Sequence, residues 1–118
     1  MEVGYRGLKV YQKAYDGVLW VYEQTKALPA SEMHGLTNQI RRAAVSVVAN
    51  ISEGYGKKEY SSAEYKRFLT ISRASVNEVI TLGCICSDVG YMPSTFKETI
   101  QQNYEEIGKM LFGIISKI

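Results

Sequence analysis

Five polar residues follow one edge of an otherwise apolar segment, "NQIRRAAVSVVANISEGYG", which runs from Asn38 to Gly56. They recur every three or four positions: Gln39, Arg42, Ser46, Asn50 and Glu53. At about 100° per residue they fall on one narrow stripe of a helix. A guanidinium, a carboxylate, amides and a hydroxyl on one stripe can form a catalytic site, a buried polar network or a solvated edge.

The residue types favour the buried network. Serine and asparagine are poor helix formers, so Ser46 and Asn50 are unusual choices for exposed positions. A second stripe on the following predicted helix offers matching groups: Glu64, Arg67, Ser75 and Glu78. Because a buried charge is costly unless it is paired, we predict an ion pair between Arg42 and Glu78.

Two further contacts would complete such a network. We predict that the Asn50 side chain forms a hydrogen bond across helices, and that Glu53 pairs with Arg67. A network of this kind sets the register of its helices more than it adds stability.

The residue types that catalysis needs are sparse. His34 is the only histidine, and no neighbour in sequence resembles a catalytic partner. The chain has no Cys-x-x-Cys, no His-Glu-x-x-His and no glycine-rich loop followed by Lys-Ser or Lys-Thr. A di-metal bundle needs two Glu-x-x-His pairs, which one histidine cannot supply. We therefore expect no enzymatic activity, no metal, no cofactor and no small-molecule substrate.

Four helices are predicted to position these stripes. Apolar residues at helical spacing predict helices over about 8–28, 31–53, 61–89 and 94–117. Ser61 with Glu64 and Thr95 with Glu98 fit capping boxes, and Gly90 fits a helix C-terminus. No segment alternates for long enough to be a strand, and the short connections favour antiparallel neighbours. The predicted fold is all-α, a single-domain up-down-up-down antiparallel four-helix bundle over residues 1–118.

Basic residues concentrate in the middle of the chain, although the net charge is only +2. The stretch from Arg41 to Arg73 has seven basic and three acidic residues, whereas Glu78 to Glu106 has five acidic residues and one lysine. Basic side chains neutralise phosphates, and tyrosines stack on bases. The candidate nucleic-acid-binding residues are Arg41, Lys57, Lys58, Lys66, Arg67 and Arg73, with Tyr55 and Tyr60 interleaved. A solvated loop between two helices explains these residues equally well.

The two cysteines indicate the compartment. Cys84 and Cys86 point nearly opposite ways on a helix, so they cannot form a disulfide with each other there. A reduced, cytoplasmic setting fits them. The start of the chain lacks the apolar region of a signal peptide, and no apolar run approaches the ~18 residues of a membrane span. We expect no membrane partner.

The first predicted helix carries more apolar surface than one bundle helix requires. One face at helical spacing, which we expect to be the core, comprises Leu8, Tyr11, Tyr15, Val18, Leu19 and Tyr22. The flank of that face is also apolar: Val10, Ala14, Gly17 and Val21. A tryptophan beside a wide apolar arc, such as Trp20, is typical of an interface. We therefore predict that this flank, with Trp20, packs against another subunit.

Two long segments of the chain are similar to a known family. They read "LPASEMHGLTNQIRRAAVSVVANISEGYG" and "EYKRFLTISRASVNEVITL", and with "LKVYQKAY" and "VYEQT" upstream they span about residues 8–115. The ordered set resembles the four-helix-bundle family first noticed as proteins encoded in intervening sequences of bacterial 23S rRNA genes. The same family includes the accessory variability determinant of diversity-generating retroelements.

The resemblance implies a cytosolic bacterial bundle that assembles into a ring-like homopentamer. For the accessory determinant it also implies binding of RNA or DNA, and of a reverse transcriptase, through a basic surface. The first hypothesis is therefore a homo-oligomeric module that binds nucleic acid or a nucleic-acid enzyme. The second is a structural or protein-interaction scaffold without nucleic-acid affinity.

Overall fold

The computed structural model describes residues 4–118 and has four α-helices. Their bounds are α1 Lys9–Gln24, α2 Leu36–Lys57, α3 Ser62–Asp88 and α4 Ser94–Ile115. Consecutive helices run antiparallel, and α1 closes the bundle by contacting both α2 and α4. This arrangement confirms the predicted all-α four-helix bundle, and residues 4–118 contain no strand.

The ends of α3 follow the local sequence. The Ser61 hydroxyl accepts a hydrogen bond from the Glu64 backbone N–H at 3.1 Å, as one half of a capping box predicts. Gly90 has a φ of +91°, the left-handed conformation that a residue just beyond a helix C-terminus requires. The second predicted capping box is wrong, because α4 begins at Ser94 and Thr95 already lies inside its first turn.

The bounds of α2 differ most from the sequence prediction. A short 3-10 turn over Ala30–Glu32 precedes the helix, and the Leu36 N–H donates to the Glu32 carboxylate at 3.1 Å. The helix therefore begins at Leu36 rather than near Ser31, and it continues past two glycines to Lys57. Gly54 lets α3 approach closely, since a Cβ there would lie 2.9 Å from the Phe68 Cβ.

The seam between α2 and α3 is tight and contains buried hydroxyls. The Ser72 hydroxyl donates to the Val47 carbonyl at 2.6 Å, and the Ser46 and Ser75 hydroxyls share a hydrogen bond of 2.7 Å. Small residues on α2, such as Ala43 and Ala44, are buried against this seam. Close backbone approach therefore positions the end of α2 and the start of α3 side by side.

The most deeply buried residues of α1 are not the ones that the sequence predicts. Val10, Ala14 and Val21 are at most 2% exposed and form the inner face of α1. These small and β-branched side chains are covered by α2 and α4 of the same chain. Of the six residues expected in the core, three are partly buried and pack against it: Leu8, Tyr11 and Val18. The other three, Tyr15, Leu19 and Tyr22, lie toward solvent and are between 42% and 56% exposed.

The predicted subunit interface on this helix is therefore wrong for Val10, Ala14 and Val21, which are covered within their own chain. Trp20 stacks on Phe96 of α4, with ring centroids 5.4 Å apart and 9° between the planes. Gly17 also faces α4, where its missing side chain leaves room for a tyrosine ring.

One helix of the bundle, α3, is long and apolar enough to cross a membrane by length and composition alone. It has 27 residues, and its most apolar 18-residue window has a mean hydropathy of 1.2. Within that window 39% of the residues are buried in the bundle, and the core helix of a bundle meets the same criteria.

Candidate nucleic-acid interface

One end of the bundle gathers basic side chains from distant parts of the sequence. Antiparallel packing brings the start of α1, the end of α2, the start of α3 and the end of α4 together there. We call residues 4–11, 53–67 and 113–118 the basic end. Its cations are Arg6, Lys9, Lys57, Lys58, Lys66, Arg67 and Lys117. Its carboxylates within these ranges are Glu53, Glu59 and Glu64.

Most of these cations are free of carboxylate partners. Of the seven cations of the basic end, only Arg67 forms an ion pair within residues 4–118, donating to both carboxylate oxygens of Glu64 at 2.9 and 3.1 Å. That hydrogen bonding lowers the pKa of the Glu64 carboxyl below its usual value. The Lys58 ammonium lies over the rings of Tyr55 and Tyr65, at 5.4 and 5.9 Å from their centroids. Unpaired ammonium groups at one end leave a positive potential there.

The two candidate tyrosines differ in accessibility. Tyr55 is half-buried and lies beneath the Lys58 ammonium. Tyr60, in the connection between α2 and α3, is 85% exposed. Tyr60 therefore presents a ring to solvent beside Lys57 and Lys58, whereas Tyr55 does not.

Two of the predicted nucleic-acid-binding residues lie outside the basic end. Arg41 donates from Nε to the Thr25 hydroxyl at 3.0 Å and from Nη2 to the Tyr22 carbonyl at 3.3 Å, toward the opposite end of the bundle. Arg73 is in the middle of α3, and its guanidinium lies over the ring of Phe112 on α4, at 4.9 Å from the ring centroid. The structure therefore does not bring these two arginines together with the others.

Three cations of the basic end were absent from the sequence-based set: Arg6, Lys9 and Lys117. They lie near the two ends of the chain, far from the basic middle. The predicted up-down-up-down topology is enough to add them to the set, because it places the start of α1 beside the end of α4.

A groove of about 500 Å³ opens at the basic end between the start of α1 and the end of α4. Its walls are mostly apolar and come from α1, α3 and α4: Leu8, Val10, Tyr65, Met110, Gly113, Ile114 and Ile118. Three lysines also line it: Lys9, Lys58 and Lys117. None of the three forms an ion pair within the described residues.

The polar stripe of α2 is mostly a solvated edge. Arg42 and Glu78 are both exposed, and the predicted ion pair between them is wrong. Gln39 and Glu53 are also exposed, and the predicted pair of Glu53 with Arg67 does not form. These pairs do not form because α2 is rotated so that the stripe runs along the outer edge of the α2–α3 seam rather than inside it.

Only the middle of the stripe reaches the seam. Ser46 bonds to buried Ser75 on α3, which is the one contact of the predicted network that crosses helices. The Asn50 amide donates to the Ser46 carbonyl and hydroxyl at 2.8 and 3.1 Å, so its predicted bond across helices is wrong. Ser46 and Asn50 thus satisfy polar groups at the seam and offer no reactive arrangement.

A second exposed feature is apolar. We call Tyr15, Leu19, Tyr22 and Val45 the outer α1–α2 face, and these four residues are between 40% and 56% exposed. The Arg41 guanidinium lies 4.7 Å from the Tyr22 ring centroid, and Val45 follows one turn later on α2. Contiguous exposed apolar side chains of this size are typical of an interaction surface.

Residues 4–118 contain no group of three or more His, Cys, Asp or Glu side chains able to hold a metal ion. His34 is exposed, and Cys84 and Cys86 are both free thiols. Burial raises the pKa of the Cys86 thiol. Burial likewise raises the pKa of the Tyr104 phenol, whose hydroxyl has no hydrogen-bond partner in the described structure.

The fold places this protein in the class of four-helix bundles, here with a basic end, and comparison with known proteins gives the family. Residues 6–113 match the sequence profile described as 23S rRNA-intervening sequence protein. The chain therefore belongs to the 23S rRNA-intervening sequence protein family. No curated protein matches the chain.

Among solved structures, the chain is similar to a crystal structure from Bacteroides thetaiotaomicron VPI-5482, a protein with unknown function from the S23 ribosomal protein family. The two share 26% sequence identity and superpose with a TM-score of 0.79, over 90% of this chain and 97% of that one. Neither description names an enzymatic activity.

Proposed function

We propose that this protein is a non-enzymatic, homo-oligomeric module that binds nucleic acid through the basic end of the bundle. One observation carries the proposal: seven cations from distant chain segments converge there, and of these seven only Arg67 forms an ion pair within residues 4–118. Among residues 4–118, half of the fourteen basic residues but only three of the eleven acidic residues lie at this end.

Phosphate binding is the chemistry that this arrangement supports. Each lysine that neutralises a phosphate releases a condensed counterion, which drives association without sequence specificity. A net charge of +2 is too small to attract a polyanion to the whole surface, but the asymmetry between the two ends orients the approach.

The exposure of the Tyr60 ring favours single-stranded nucleic acid as the ligand. Its ring is 85% exposed and stands beside ammonium groups, so an unstacked base can lie on the ring while the flanking phosphates contact lysines. Base stacking on an aromatic side chain contributes about 1–3 kcal/mol per base and tolerates any sequence.

Fluorescence anisotropy with a labelled mixed-sequence single strand tests the proposal, with salt varied from 50 to 200 mM. A ligand held by several phosphate contacts should lose roughly a thousandfold in affinity over this range. The double variant Lys57→Ala/Lys66→Ala should bind more weakly and flatten the logarithmic salt slope by up to about two units. Tyr60→Ala should weaken binding roughly tenfold without changing the slope.

Lys26→Ala/Lys97→Ala is the matched control, because it removes two lysines at the opposite end of the bundle. It should leave both affinity and slope unchanged. Equal effects of the two double variants would refute the placement at the basic end, and the absence of salt-dependent binding by the wild type would refute the function.

We further propose that the module is a homopentamer whose subunits meet through the outer α1–α2 face. The face exposes large apolar side chains from both helices, and the family resemblance supplies the subunit number. A closed ring joins subunits head to tail, so this face would contact a different surface of the next subunit. The resemblance also proposes a cytoplasmic setting and a reverse transcriptase as the protein partner.

Sedimentation velocity at micromolar protein tests the assembly. Leu19→Lys should produce monomers, because it places a charge in the centre of an apolar contact. Val89→Lys is the matched control, since Val89 directly follows the end of α3, is 57% exposed and lies outside the outer α1–α2 face. A wild-type monomer, or dissociation caused equally by both variants, would refute this interface.

The alternative function is a protein-interaction scaffold without nucleic-acid affinity. The outer α1–α2 face favours it specifically, because an apolar surface serves a protein partner and contributes nothing to phosphate binding. An assembled protein that shows no salt-dependent binding to RNA or DNA would select this alternative.

A further inference from the structure

The groove at the basic end has walls and a rim of different chemistry. Its walls are aliphatic, with Leu8 and Val10 from the start of α1 and the residue before it, and Met110 and Ile114 from α4. Lys9, Lys58 and Lys117 line it from three separate segments of the chain. None of these lysines forms an ion pair within residues 4–118, so three positive charges border an apolar space of about 500 Å³.

Gly113 keeps the groove open. It lies inside α4, where glycine costs about 1 kcal/mol of helix stability relative to alanine. Close packing does not require the glycine, because a Cβ at this position would meet no other atom within 4 Å. The missing side chain instead adds to the open space between α1 and α4.

The lining excludes several ligand classes. A base needs a free aromatic face, but Tyr65 is only 6% exposed and lies under the Lys58 ammonium. A small hydrophilic anion would use the lysines and leave the aliphatic walls without a partner. Binding pockets of this size are usually apolar with a few polar groups that fix orientation, and here those groups are all cationic.

We propose that this groove binds a single amphipathic anion, an aliphatic chain with one carboxylate or phosphate head, such as a medium-chain fatty acid. The chain lies along Leu8, Met110 and Ile114, in the space beside Gly113. The head group contacts the ammonium groups of Lys9, Lys58 and Lys117. The groove shares Lys9, Lys58 and Lys117 with the basic end, whereas Lys57 and Lys66 do not line it.

Isothermal titration calorimetry with monomeric decanoate, at low salt and below its critical micelle concentration, tests the proposal. Affinity should rise about three- to fourfold for each methylene from butyrate to decanoate, because each CH₂ leaves water. Decanol should bind more weakly than decanoate, since it lacks the charge. The Lys58→Ala/Lys117→Ala variant should bind decanoate at least about tenfold more weakly.

Gly113→Leu is the sharpest variant. It fills the groove without removing a lysine, and it should leave the helix signal in circular dichroism unchanged or raise the melting temperature. Decanoate binding should nevertheless be lost. Lys57→Ala/Lys66→Ala is the matched control, which should bind decanoate normally while it binds nucleic acid weakly, so the two proposals can fail independently.

Three results would overturn the proposal. The first is an affinity that does not increase from butyrate to decanoate. The second is unchanged decanoate binding by folded Gly113→Leu, or a change in its sedimentation coefficient, which would make the groove a contact between copies of the chain. The third is binding to anionic phosphatidylglycerol vesicles without binding to monomeric decanoate, which would place the lysines on a membrane surface.

Discussion

The inner and outer faces of α1 have similar hydrophobicity and opposite environments. Every residue of the inner face, Val10, Ala14 and Val21, is at most 2% exposed, whereas Tyr15 and Leu19 on the outer face are about half exposed. Both faces repeat at helical spacing. The difference lies in size, because the inner face holds small or β-branched side chains and the outer face holds long or aromatic ones.

This difference shows how close approach selects a face. A helix that packs near its neighbours fills the gap with side chains such as Ala14, because larger ones would push the backbones apart. Tyr15, Leu19 and Tyr22 are left at the rim of the bundle, where a single subunit does not cover them. Apolar area that the fold does not use is then available for a partner.

The largest expected effect comes from placing the same charge on the two faces. Val21→Asp should lower the free energy of unfolding by at least about 4 kcal/mol, because its carboxylate would be buried without a partner. Leu19→Asp should change it by less than about 0.5 kcal/mol when the protein is dilute and dissociated. Urea unfolding followed by circular dichroism measures both. Similar losses for the two variants would mean that the faces are not distinct.

Much of the fold could be predicted from the sequence because its signals are local. Apolar spacing, few prolines and the Ser61 cap gave four helices, and α3 and α4 begin within one residue of their predicted starts. The face of α1 and the start of α2 could not be predicted in this way. Both depend on neighbours: on how closely α2 and α4 approach α1, and on the turn that Glu32 stabilises before Leu36.

The second prediction concerns the contact between α1 and α4. A Cβ on Gly17 would lie 2.6 Å from the Tyr104 hydroxyl oxygen, so Gly17→Ala should cost about 1–2 kcal/mol even after its gain in helix propensity. Thermal or urea unfolding measures the loss. Gly113→Ala is the matched control, since its Cβ meets nothing within 4 Å, and it should stabilise by up to about 1 kcal/mol.

A double-variant cycle tests whether Tyr104 causes that loss. In a Tyr104→Phe background the contacting hydroxyl is absent, so Gly17→Ala should cost at least about 0.5 kcal/mol less than in the wild type. An unchanged cost would mean that the strain lies elsewhere on α4.

The third prediction is a stabilisation by Tyr104→Phe alone. The side chain is fully buried and its hydroxyl has no hydrogen-bond partner in the described structure. An unsatisfied buried hydroxyl is costly, so its removal should raise the free energy of unfolding by about 1 kcal/mol. Urea unfolding of the two proteins gives the difference. A loss of similar size would show instead that the hydroxyl is hydrogen-bonded in solution.

The candidate site was harder to predict than the fold. The basic turn with Lys57, Lys58 and Tyr60 is visible as a short run in the sequence, but Lys9 and Lys117 join it only through the antiparallel topology. Arg41 and Arg73 were included because they belong to the same stretch of chain. Residues of one helix that are close in sequence are not close in space when several turns separate them, because each turn moves the side chain by about 5.4 Å along the helix axis.

The smallest expected effect is at the polar stripe of α2, which the sequence predicts to be buried and which is mostly exposed in the structure. Arg42 and Glu78 are both exposed and form no ion pair within residues 4–118, so Arg42→Ala and Glu78→Ala should each change the free energy of unfolding by less than about 0.5 kcal/mol. Their effects should also add, because exposed side chains that do not touch have no interaction energy to lose. Urea unfolding of the two single variants and the double variant measures this coupling.

The sequence-based hypothesis requires the opposite, a loss of about 3–5 kcal/mol from Glu78→Ala, because it would leave a buried arginine unpaired. A loss of that size would mean that Arg42 is buried in solution, by its own chain or by a neighbouring subunit seated on the α2–α3 edge.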